Sequence, residues 1–256
     1  MKTINTRLPI DSKSSIHLCI KNPILSPRGC IIFSHGFSVS GFESRRIFWE
    51  LSNELTAKNF LCVLFDYRGS GYSDLSFSDM TIDTEMEDLN CIINYIIKNV
   101  YSETNLIIWG ASFGSGVASL VGAQRDDIRG FLLWCLSAEL EKRYSTLLGP
   151  KIYEDGYVYL DSGFEVKKTF LDSLKNKDVY HSISQIHSPI LFVHGTDDQK
   201  ADVNLSKQAF EIANVDKELV LIQGGNHGFK CQPKQFAEAK KVSFEWIKKI
   251  TRIAED

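Results

Sequence analysis

The chain has 256 residues, 43% hydrophobic and 24% charged, which suits one folded domain long enough to bury a sizeable core. A formal net charge of -3 gives no electrostatic case for nucleic acid or for an anionic membrane surface. No apolar run is long enough to span a bilayer, and the opening MKTINTRLPIDSKSS lacks the apolar core of a secretory signal. Cys19, Cys30, Cys62, Cys91, Cys135 and Cys231 form no CxxC pair, and several sit in apolar runs. They read as reduced, mostly buried thiols, and the expected location is the cytoplasm.

In chain order, short runs rich in Ile, Val, Leu and Phe predict strands over 16–20, 30–34, 61–66, 106–110, 131–136, 190–194 and 219–222. After the first they show little polar alternation, as expected of strands buried on both faces of a mostly parallel sheet. Between them, amphipathic spacing predicts helices over 46–57, 81–98, 113–124, 204–212 and 233–250. Strands alternating with helices predict one α/β domain over 1–256, with functional groups just past the C-terminal strand ends. The interval between the strand ending near Leu136 and the one starting at Ile190 is too long for one crossover helix. Residues 138–186 are therefore expected to form a small cap or lid, with a hairpin turning at Asp155-Gly156. Its aromatics, among them Tyr144, Tyr153, Tyr157 and Tyr159, are candidates to wall a substrate pocket.

The stretch LIIWGASFGSGVASL runs from Leu106 to Leu120 and places Ser112 between a buried strand and a helix. A serine hydroxyl is a poor nucleophile. It needs a base beside it and donors for the oxygen that becomes negative. A sharp strand-to-helix turn projects the side chain and aims helix N-terminal N–H groups at the same point. Gly110-Ala111-Ser112-Phe113-Gly114 fits such a nucleophile elbow. His35-Gly36-Phe37 follows the 30–34 strand, so the N–H groups of Phe37 and Phe113 are the candidate oxyanion donors, with His35 orienting the loop. HGTDD, His194 to Asp198, supplies a carboxylate after the 190–194 strand. GGNHGF, Gly224 to Phe229, supplies His227 after the last one. Ser, Asp and His, each after a separate strand, are the components of acyl-transfer chemistry. The spacing points to Asp198 as the acid, with Asp197, Glu139 and Glu141 as alternatives.

His17, His181 and His187 have no motif around them. No Cys/His/Asp cluster has metal-ligand spacing, so no metal is expected. RGSGYS lacks the lysine and fingerprint of a phosphate-binding loop. The last helix reads as an amphipathic element with a solvated lysine face.

FSHGF, FDYRGSGYSD, GASFG, HGTDD and GGNHGF together resemble the α/β-hydrolase superfamily over nearly the whole chain. FSHGF, ESRR and the compact insertion are similar to cytosolic cinnamoyl and feruloyl esterases and to serine-aminopeptidase-like hydrolases. The resemblance implies an α/β-hydrolase fold and a cofactor-free serine esterase acting through Ser112, Asp198 and His227. It departs from the pattern at Ala111, at Ser70 and in lacking Val-Pro after the acidic loop. A compact cap is expected to favour esters of small aromatic or medium acyl groups over long chains. The partner is a small-molecule acyl ester, with no nucleic acid or membrane, and the protein is expected as monomer or homodimer. The same three residues serve a thioesterase, peptidase or acyltransferase. A non-catalytic ligand-binding protein on this scaffold is the remaining alternative.

Overall fold

A computed structural model describes residues 1–152, 156–161 and 163–251. An eight-stranded sheet runs in the order β1-β2-β4-β3-β5-β6-β9-β10. These strands are β1 (Lys2–Pro9), β2 (Ser15–Asn22), β3 (Cys30–Ser34), β4 (Leu61–Asp66), β5 (Leu106–Ala111), β6 (Gly130–Trp134), β9 (Ile190–Gly195) and β10 (Lys217–Ile222). β1 and β2 pair antiparallel at one edge, and β2 meets β4 antiparallel. From β4 to β10 every pairing is parallel.

The continuous apolar runs have a simple cause. Side chains alternate between sheet faces, and here both faces are covered. Cys30 and Ile32 of β3, with Leu106 and Ile108 of β5, enter one core, while Ile31, Phe33, Ile107 and Trp109 enter the other. The second core is closed by α1 (Ile47–Ala57) through Phe48, Leu51 and Leu55, and by α8 (Pro233–Ile250) through Trp246, Ile247 and Ile250. The first is closed by α2 (Ile82–Asn99), α3 (Phe113–Gly122) and part of α7 (Val203–Ile212). Thr81 caps α2 in a reciprocal box with Thr84, which satisfies first-turn N–H groups.

β1 was not expected from the sequence. Its side chains are mostly exposed and polar, so it carries no buried-strand signal, and it is held by its register with β2. β6 ends at Trp134, two residues before the predicted Leu136, because Cys135 turns to φ 49°.

Between β6 and β9 lie α4 (Leu140–Leu148), β7 (Tyr157–Tyr159), β8 (Glu165–Lys167), α5 (Lys168–Leu174) and α6 (Val179–Ser184). β7 and β8 form a hairpin of their own, and the one expected to turn at Asp155-Gly156 falls largely outside the described residues. Val158 faces Val166 across β7 and β8, and the chain reverses over 160–164. Burial of both valines fixes this register, and a turn signal alone cannot. Asp155 itself lies outside the described residues. Val158, Val166, Phe170, Leu174 and Ile183 belong to the first core, so the insertion is packed into the domain.

Candidate active site

Ser112 stands between β5 and α3 with φ 53° and ψ -122°, a strained conformation for a residue bearing a side chain. The strain is held from several sides. Ser112 N–H donates to Trp134 O at 2.9 Å, and Ser115 N–H donates to Ser112 O at 3.0 Å. A Cβ on Gly114 would stand 2.3 Å from the backbone oxygens of Ser34 and His35, so only glycine lets the helix start this close to β3.

His227 lies in the loop after β10. Its Nε2 is 3.0 Å from Ser112 Oγ, and its Nδ1 is 2.8 Å from Asp198 Oδ2. An ionised carboxylate only accepts, so Nδ1 carries the proton and Nε2 is left to accept the serine O–H. Burial opposes the charge on Asp198. Hydrogen bonds from His194, His227 and the Ala201 N–H outweigh it and hold the carboxyl well below its usual range. Oδ1 is filled by the N–H groups of Lys200 and Ala201, at 2.8 and 2.9 Å. The carboxylate is thus fixed by the first turn of its own loop, leaving Oδ2 toward the imidazole.

The neighbouring Asp197 is exposed and accepts from its own neighbour, Thr196 Oγ1. Glu139 pairs with Lys142 at 2.7 Å, and Glu141 is exposed. The imidazole meets Asp198 and none of these three.

The loop after β3 closes the other side. A Cβ on Gly36 would stand 3.5 Å from Ser112 Cβ, so this backbone runs against the serine. Gly36 N–H donates to Glu43 Oε2 at 2.7 Å, and Ser44 N–H donates to Oε1 at 2.8 Å. His35 Nε2 accepts from Tyr67 N–H at 3.1 Å, which leaves Nδ1 to donate to Gly36 O at 2.9 Å. Burial lowers the His35 pKa and keeps the ring neutral. Phe37, next in the chain, therefore sits on a braced backbone facing Ser112. Phe113 is the first residue of α3, where a helix leaves its N–H groups without intrahelical partners.

The run after β4 supports that brace. Asp66 Oδ1 accepts from Gly41 N–H at 2.7 Å, and Arg68 Nε meets Asp88 at 2.5 Å within the interior. His17 is bound to Asp66, and His187, exposed, to Asp126. His17, His181 and His187 do not line the cavity.

That cavity, of about 1090 Å³, opens over Ser112 and His227. It lies at the top of the size range for small-molecule sites, so lack of room does not exclude a long acyl chain, contrary to the expectation from a compact insertion. Tyr144 lines it from α4, but its ring is buried against Phe37, Phe113 and Phe170, at centroid distances of 4.9, 5.3 and 5.3 Å. Tyr159 is exposed and lines the rim. Tyr157 stands near Lys167 on the hairpin and does not line the cavity. Tyr153 lies outside the described residues.

Three residues at the site carried no assigned role in the sequence. Buried His194 donates from Nε2 toward Ala201 O and Asp198 Oδ2, at 3.0 and 3.3 Å, and accepts from Ser206 at Nδ1. Its place at the end of β9, inside HGTDD, was the available signal. Buried Cys135 accepts the Gly228 N–H at 3.3 Å beneath the His227 loop. Glu43, the first residue of ESRR, was visible as part of that motif, but its role in holding Gly36 and Ser44 was not. Cys135, Asp198 and His227 offer ligand atoms within 4.8 Å of one another, the one such group among the described residues. A thiol ligates a metal as thiolate, and burial pushes the Cys135 pKa strongly up, which opposes that use.

A family model described as serine aminopeptidase, S33, matches residues 25–150, from before β3 to the end of α4. It includes Ser112 and Phe37 and stops short of Asp198 and His227. YfhR of Escherichia coli O157:H7 is 28% identical over 182 residues, 70% of this chain and 57% of that protein. The lysophosphatidylserine lipase ABHD12 of Danio rerio is 27% identical over 196 residues, 74% of this chain and 48% of that one. The chain thus spans less than two thirds of the length of these relatives. Est1E of Butyrivibrio proteoclasticus with bound ferulic acid superposes with a TM-score of 0.82 at 21% identity, over 94% of this chain and 99% of that one. At that identity the likeness establishes the fold. No described helix is long and apolar enough to cross a membrane.

Proposed function

We propose that this chain, a member of the α/β-hydrolase superfamily, is a serine hydrolase of carboxylic esters. The observation that carries the reading is the run of hydrogen bonds from Ser112 Oγ through His227 to Asp198, at 3.0 and 2.8 Å. His227 takes the Ser112 proton as Oγ attacks the ester carbonyl. The N–H groups of Phe37 and Phe113 receive the oxyanion. Asp198 fixes the imidazole tautomer and stabilises the imidazolium. The imidazolium gives its proton to the departing alcohol, leaving an acyl group on Ser112. Water, deprotonated by His227, then releases the acid and restores the serine. No cofactor enters this sequence.

Residues 138–186 act as the cap. Phe37, Tyr144 and Leu148 offer an apolar wall for the acyl group, with Tyr159 at the rim. This wall supports a preference for small aromatic or medium acyl groups through its aromatic faces, not through lack of room. The six free cysteines support a reducing compartment, the cytoplasm.

A second reading, cleavage of aminoacyl amides, is favoured by the match to the serine aminopeptidase model. Initial rates on p-nitrophenyl esters of increasing chain length, methyl hydroxycinnamates, an acyl thioester and aminoacyl amides decide between them. The esterase reading expects the oxygen esters to lead, with aromatic or medium acyl groups fastest. Amides turned over ahead of esters would replace it with the second reading, and turnover of none would end both.

A further inference from the structure

The flank of the cavity next to His227 carries Lys200 and Lys230. Lys230 Nζ donates to Ser44 Oγ at 2.8 Å. Among the described residues neither lysine has a carboxylate at ion-pair distance; Lys142 in the same cavity is paired with Glu139, while Arg143 and Lys151, on its cap side, also have none. The acids beside them in the chain and the cavity wall have other partners. Glu43 accepts from Gly36 and Ser44, Asp202 caps α7 through the Asn204 N–H, and Asp198 faces His227. Burial lowers the Lys230 pKa even though Glu43 favours its charge, as expected of a cation lacking a close counter-ion. An uncompensated cationic pair in a chain of net charge -3 runs against the molecule's own long-range field.

The position of this pair matters for the chemistry. The departing oxygen must take its proton from His227 Nε2, so the leaving portion of an ester lies on the His227 flank. The apolar wall of Phe37, Tyr144 and Leu148 lies on the oxyanion side, beside Phe113. We infer that the leaving portion of the substrate bears an anion, a carboxylate or a phosphate monoester, received by Lys200 and Lys230. This rests on the serine esterase reading above.

The test uses pairs that share a butyryl group and differ in the charge of the alcohol. One pair is the butyryl esters of para-hydroxybenzoate and para-hydroxybenzamide, and the other those of glycerol phosphate and glycerol. The full chain should favour the anionic member of at least one pair in kcat/KM by about tenfold. The preferred pair identifies carboxylate or phosphate as the source. The ratio should shrink at about 0.5 M salt, where exposed charges are screened. Lys230→Met and Lys200→Met should each lower the ratio by roughly threefold or more, mainly through KM. A ratio at or below one in both pairs overturns the inference while the esterase reading stands, as does a preference that neither salt nor either variant diminishes. If no member of either pair is hydrolysed, the esterase reading fails and this one falls with it.

Discussion

The loops beyond β3, β5, β9 and β10 and the insertion between β6 and β9 border the same cavity but are built differently. The loops are held by directed hydrogen bonds. Asp198 alone accepts from His227, Lys200 and Ala201, and Gly36 is tied to both Glu43 and His35. The insertion is held by apolar packing, through Val158, Val166 and the rings of Tyr144 and Phe170. Hydrogen bonds fix angles, as proton transfer requires. Packing fixes volume and tolerates changes of shape more readily. Substitutions in the loops should therefore alter rate at nearly constant stability, and those in the insertion should alter stability and KM.

The largest expected effect is that of Ser112→Ala. It should lower kcat/KM on any accepted ester by at least about a thousandfold. The protein should stay folded by circular dichroism, because the variant keeps the elbow backbone. Asp198→Asn should follow, with a loss of roughly a hundredfold or more as the imidazole loses its orienting partner. Asp197→Asn, at an exposed carboxylate, should remain within about threefold of the parent. If the two aspartates reversed rank, the hydrogen bond to His227 would not be the one that matters in turnover.

On the insertion side, Tyr144→Ala removes a buried ring from a four-ring cluster. Urea unfolding should register a loss of about 3 kcal/mol, together with a raised KM. Tyr159→Ala, at the exposed rim, should change stability by less than about 0.5 kcal/mol and appear only in KM. Equal stability losses from the two would erase the distinction between packed and rim positions.

The smallest expected effect is on pH dependence. Glu85 on α2 is buried, and burial first, then the charge of Asp88, raises its pKa well above 4.5. A raised folded pKa means the folded state holds the proton more tightly. The associated stability is complete below the unfolded value near 4.5 and drains away as pH climbs toward the folded value. Glu85→Gln mimics the protonated form. It should raise the urea midpoint at about pH 8 and change it little below the unfolded pKa. A variant less stable than the parent at the higher pH would contradict this reading.

Much of this was legible in the sequence where local chemistry dictates geometry. Gly114 permits the close approach at Ser112, and the apolar runs of β3, β5 and β9 state that both sheet faces are covered. What was not legible depended on distant partners. β1 is a strand only because β2 offers it a ladder. The β7–β8 hairpin took its register from the burial of Val158 and Val166, which no turn signal announces. FSHGF and ESRR were both visible, but not that Glu43 of the second accepts from Gly36 of the first. Cavity size was misjudged for the same reason, because the length of an insertion does not say how much of it joins the core.

The most direct test of the account is covalent labelling. A fluorophosphonate should modify one serine per chain, located by peptide mass spectrometry at Ser112. His227→Ala should slow the labelling by about a hundredfold or more, because the base that activates the hydroxyl is gone. Modification at another serine, or labelling of His227→Ala at the rate of the parent, would contradict the central claim that Ser112, activated by His227, is the nucleophile.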